Sequence, residues 1–160
     1  MNHRGRVLIV EDDRSTLDRL SEAFAGMNFE VVRAGNGHEA LLKFAPYHYD
    51  IVLSEPALPE TDGPGLLDTI RRIDREVVFF LANGYPRTAA SLKATRKGLC
   101  DYVTEPVDME EFRQKVTRAL ENKRINREMR SLGKGFLWGG CISIAAWAAV
   151  GVTLAHLLLH

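Results

Sequence analysis

The residues with the clearest chemistry are carboxylates that follow short apolar runs. Glu11, Asp12 and Asp13 come directly after Val7–Val10, and Ser54–Glu55–Pro56 close the run Asp50–Leu53. Leu81, Ala82 and Asn83 end the run Val77–Ala82, and Thr104–Glu105–Pro106 follow Asp101–Val103. Carboxylates gathered at one place can hold a hard divalent cation through oxygen ligands. Otherwise they must share protons, because like charges side by side disfavour ionisation, or they splay into solvent beneath a nearby Arg14 or Arg87. A cation would sit on Glu11, Asp12 and Glu55, with Mg²⁺ or Ca²⁺ the fitting ions.

The elements that position these residues alternate. Arg6–Val10 reads as a strand and Ser15–Gly26 as a helix, with Leu17, Leu20 and Phe24 on one face. Phe29–Arg33 is a strand, Asn36–Ala45 a helix, Asp50–Leu53 a strand and Gly63–Ile73 a helix. Val77–Ala82 is a strand, Thr88–Lys97 a helix ending at Gly98, and Asp101–Val103 a short strand. A last helix starts at Asp108, a residue suited to cap it. Five βα units predict an α/β fold with a parallel sheet and helices on both faces. VLIV and VVFFLA do not alternate, as strands buried on both faces should not. Sites in such sheets form at the carboxyl ends of the strands, where all four groups lie.

The acidic turn VEDD, the stretch DIVLSEPALPETDG and the segment GLCDYVTEPVD resemble the receiver domain of two-component response regulators. The likeness runs from residue 6 to about 121. It implies the flavodoxin-like, doubly wound fold of the chemotaxis regulator, with strand order 2-1-3-4-5. It also assigns roles. Glu11 and Asp12 match the pair that helps to hold Mg²⁺, and Tyr102 matches the aromatic switch position. Glu55 stands where the family has its phosphoacceptor Asp. Leu81, Ala82 or Asn83 stands where a Ser or Thr reads the phosphate, and Glu105 replaces the Lys that contacts it. Phosphoryl transfer relies on an in-line nucleophile and on neutralised phosphoryl charge. Glu55 displaces the attacking oxygen by more than about 1 Å, and Glu105 reverses the sign of the local field. The expected site, Glu11, Asp12, Glu55 and Glu105, is therefore a degenerate phosphoacceptor site. It has no catalytic residue and needs no cofactor other than the Mg²⁺ that its carboxylates could take. Glu55 is a poor imitation of a phosphorylated Asp, since the hydroxyl and the Lys that would read it are both replaced.

Charge is balanced overall, with 21 Lys and Arg against 21 Asp and Glu, but unevenly spread. Residues 1–107 hold 13 basic against 16 acidic side chains, residues 108–135 hold 8 against 5, and residues 136–160 hold none. The 24 residues Phe136–Leu159 are apolar apart from Ser143, Thr153 and His156. As a helix they extend roughly 36 Å, against a hydrocarbon core of ~30 Å. A transmembrane helix over 136–159 is expected, with the flanking Lys123, Arg124, Arg127, Arg130 and Lys134 holding the domain on the cytoplasmic side. The predicted organisation is a receiver-like domain over 1–121, a basic helical connector over 122–135 and the membrane helix. Ile125, Met129 and Leu132 extend an apolar stripe along the connector, enough for a short coiled coil. Cys100 and Cys141 fall in separate compartments and suggest neither disulfide nor metal.

The function expected from these features is a non-enzymatic, membrane-tethered pseudo-receiver at the bacterial inner membrane. It would be a docking or regulatory module, or an accessory subunit of a membrane complex. Its partners would be a membrane protein, the lipid bilayer and a second copy joined through connector and membrane helix, with no nucleic acid. The alternative is an atypical signalling receiver that still accepts phosphate, or binds a ligand or metal, at the acidic cleft.

Overall fold

A computed structural model describes residues 3–59, 61–82, 101–103 and 108–130. The chain divides into two compact units, Met1–Leu120 and Glu121–His160. In the first unit the elements run β1 (Gly5–Val10), α1 (Arg14–Gly26), β2 (Phe29–Ala34), α2 (Gly37–Phe44), β3 (Ile51–Ser54), α3 (Gly63–Ile73), β4 (Val78–Ala82) and β5 (Asp101–Val103). A further helix, α4, covers residues 109–130. The helix expected over Thr88–Lys97 lies outside the described residues.

The flavodoxin-like α/β parallel sheet expected from the sequence is the architecture observed. The strands are parallel and ordered β2-β1-β3-β4-β5. Alternate side chains of a strand face opposite sides of the sheet, and two cores result. Val7, Ile9, Ile51, Leu53, Val78 and Phe80 pack with Leu20 and Phe24 of α1 and with Phe112, Val116 and Ala119 of α4. Leu8, Val10, Val52, Phe79 and Leu81 pack with Ala40 and Phe44 of α2 and with Leu66, Leu67 and Ile70 of α3. Being wetted on neither face, β1, β3 and β4 keep their unbroken apolar runs.

Aromatic rings fix the first core. Phe24 meets Phe29 at 5.6 Å and Phe112 at 5.2 Å, and Phe112 meets Phe80 at 6.2 Å, all edge to face. This geometry sets the positive edge of one ring against the negative face of the next. Phe112 thereby pins α4 to both α1 and β4.

Helix starts are capped by side chains that accept from orphan backbone amides. Asp13 caps α1 through the Thr16 amide at 2.8 Å, Asn36 caps α2 through Glu39 at 2.8 Å, and Asp62 caps α3 through Gly65 at 2.6 Å. Asp108 fills the cap expected of it, accepting from Glu110 and Glu111 at 2.9 and 3.1 Å. The link from α1 to β2 turns through Asn28, whose φ of 65° is left-handed, a conformation that Asn tolerates better than most residues. At the opposite rim from the carboxylates, Arg6 binds Glu30 at 2.6 Å and lies over the rings of Tyr47 and Tyr49 at 5.1 and 5.8 Å.

In the second unit the described residues, 121–130, are helical, with Ile125 and Met129 exposed and Arg124 paired to Glu128 at 3.6 Å. The span expected over 136–159 lies outside the described residues, as does Lys134. Among the described residues no helix is long and apolar enough to cross a membrane.

Truncating Phe112 to Ala should destabilise the fold by about 3–5 kcal/mol, since it empties a three-ring contact in the core. Leu42→Ala, at a side chain 64 % exposed, should change stability by under about 0.5 kcal/mol. Urea denaturation of both variants checks the pair, and a Phe112→Ala loss as small as that of Leu42→Ala would show that α4 is held by other contacts.

Candidate functional site

The site forms where β1 and β3 end side by side. Val10 pairs with Ser54, and the ladder continues one step: the Glu55 amide donates to the Val10 carbonyl at 3.0 Å. On the other flank the Glu11 amide donates to the Ala34 carbonyl at 3.0 Å. Backbone bonds on both sides thus bring Glu11 and Glu55 level with each other. Carboxyl oxygens of Glu11, Asp12 and Glu55 all lie within 4.8 Å of one another. Glu11 is 5 % exposed, Glu55 is half-buried and Asp12 is exposed.

Glu11 accepts from the Asp13 amide at 3.2 Å. Oε2 of Glu55 is buried and has no hydrogen-bond partner. Two carboxylates in this setting cannot both ionise cheaply. Burial, the hydrogen bond to Glu11 and the charges of Glu11 and Asp12 push the Glu55 carboxyl up to about 8. Burial also raises Glu11, whereas its hydrogen bond with Glu55 acts the other way. Both carboxyls are thus raised, Glu55 the more clearly, by burial and by each other's nearness.

Of the other residues singled out in the sequence, Asp13 is occupied as the cap of α1, and that bond draws its carboxyl below the ordinary range. Ser54 is fully buried and its hydroxyl donates to the Glu55 carbonyl at 2.9 Å, so it is committed to the backbone. The register shows which residue of β4 is level with Glu55. Ser54 is opposite Leu81, and one step further along both strands sets Glu55 level with Ala82. Of the three residues considered at the end of β4, Ala82 is thus the one level with Glu55. Tyr102 lies on β5 opposite Leu81. Glu105, Asn83 and Arg87 lie outside the described residues, while Arg14 is exposed at the start of α1.

Sequence reasoning missed Gly63. Its amide donates to the Pro56 carbonyl at 2.9 Å, closing the loop between β3 and α3. A Cβ there would sit 2.6 Å from the Glu55 carbonyl oxygen and 2.6 Å from the Leu81 side chain. Only glycine lets this loop lie so close to the end of β3. The signal was present in the sequence as the glycine of ETDG, between the Asp62 cap and Pro64.

The family model described as response regulator receiver domain matches residues 7–117. The chain belongs to this family. It is 36 % identical to the regulatory protein AtoC of Escherichia coli K12 over 138 residues, which is 84 % of this chain and 30 % of AtoC. It is 29 % identical to the DNA-binding transcriptional regulator NtrC of Salmonella typhimurium over 129 residues, 81 % of this chain and 28 % of NtrC. The chain thus spans less than a third of the length of these curated relatives. Among solved structures it is similar to the signal receiver domain of an HD domain-containing protein from Pseudomonas fluorescens Pf-5, with 28 % identity and a TM-score of 0.73, covering 80 % of this chain and 95 % of that one. NtrX of Brucella abortus, at 23 % identity and a TM-score of 0.74 over 80 % of this chain and 30 % of that one, shares the fold.

These findings correct two expectations. The relatives are regulators that carry receiver domains, AtoC and NtrC among them, so a membrane-tethered accessory subunit is not the function they support. The placement at the bacterial inner membrane rested on the same reading and is corrected with it by these relatives; among the described residues no helix is long and apolar enough to cross a membrane. That reading rested on the hydropathy of residues 136–159 and the charge of their flank.

The Glu55 proton sets a pH dependence. The folded carboxyl titrates near about 8 and an ordinary glutamate near 4.5, so between those values the folded state binds the extra proton. Stability from this group is fully present below the ordinary value and is lost as pH rises through about 8. Glu55→Gln keeps a neutral side chain and should flatten that slope and raise stability on the alkaline side. Thermal melts of both proteins across this pH range check it, and equal slopes would overturn the raised Glu55 carboxyl.

Proposed function

We propose that the chain is a receiver module in response-regulator signalling, of the regulatory class of its AtoC-like and NtrC-like relatives, in which Glu55 does not accept a phosphoryl group. The buried juxtaposition of Glu11 and Glu55, which pushes the Glu55 carboxyl up to about 8, carries this reading. A carboxyl that keeps its proton near neutral pH is a poor nucleophile, because its lone pairs are not freed by ionisation. Two further features support it: Ala82 offers no hydroxyl to a phosphoryl oxygen, and the sequence has Glu105 where the family has a positive Lys. Either change alone weakens the charge neutralisation that phosphoryl transfer needs. Signalling by such a module would pass through its surface to kinase or effector partners, with Tyr102 at the position of the family's aromatic switch. Incubation with acetyl phosphate and Mg²⁺, followed by intact-mass measurement, should give no phosphoryl adduct. An adduct that disappears in Glu55→Gln would overturn the reading.

A divalent cation is a second reading favoured by the cluster itself. Glu11, Asp12 and Glu55 would hold it, as three hard oxygen donors close together with a buried, unpartnered Oε2 among them. When bound, the ion would supply the positive charge that otherwise comes from the Glu55 proton. Ion and proton then compete, so affinity for Mg²⁺ or Ca²⁺ should rise with pH up to about 8. Calorimetric titration at two pH values should find tighter binding at the higher one in the native chain and weaker binding in Glu55→Gln. Absence of heat at millimolar metal would remove the cation.

A further inference from the structure

We draw no further inference here: the strongest candidate, the exposed Ile125 and Met129 face of the helical residues 121–130, carries nothing, because nothing in the structure shows what covers it.

Discussion

Two main-chain hydrogen bonds, Glu55 to Val10 and Glu11 to Ala34, set the character of this domain. They fix the ends of β1 and β3 beside each other, and the side chains that emerge there are both acidic. The backbone cannot move them apart without breaking a parallel ladder that holds most of the buried apolar surface. The carboxyls must therefore adapt to each other: burial and their mutual nearness raise both above the ordinary carboxylate range. The electrostatics of the site follow from strand register; no special loop is needed.

The rest of the molecule enforces that register. A one-residue slip of β3 would exchange the side chains of its two faces, driving Ile51 and Leu53 out of one core and Val52 out of the other. Both cores are closely filled, so such a slip is strongly opposed. The loop beyond β3 adds its own constraint at Gly63, where no side chain fits between the Glu55 carbonyl and Leu81. The caps at Asp13, Asn36 and Asp62 contribute about 1 kcal/mol each and start their helices at fixed places around the same rim.

Much of the fold was legible because burial on both faces leaves a plain mark: VLIV, IVL and VFFLA have no polar interruption. Helix boundaries shifted by a residue or so where capping decides them. Asn36 stands just outside α2 as its cap, α1 begins at Arg14 directly after its Asp13 cap, and Ser54 extends β3 by pairing with Val10 and Leu81. The site was legible as a set of acidic residues, but its chemistry was not. No spacing rule shows that Asp13 is used up by a helix start, that Ser54 turns its hydroxyl onto its neighbour's carbonyl, or that Ala82 rather than Leu81 is level with Glu55. Those facts depend on which side of a strand a residue faces and on what lies across the ladder. Hydropathy overreached in the other direction: the apolar composition of residues 136–159 suggested a location and a function that the family relationship does not share.

The sheet, with its two separate cores, acts as a partition. Val7 and Leu8 are chain neighbours, yet the first touches the layer of α1 and α4 and the second the layer of α2 and α3. Side chains in different layers share few partners, so substitutions in one should combine nearly additively with those in the other. Drift can therefore accumulate in either layer while the other stays intact. Glu11 and Glu55 sit at the rim where the partition ends, and their chemistry can be rewritten without disturbing either layer. That separation lets residues at the rim change while the family's shape is kept.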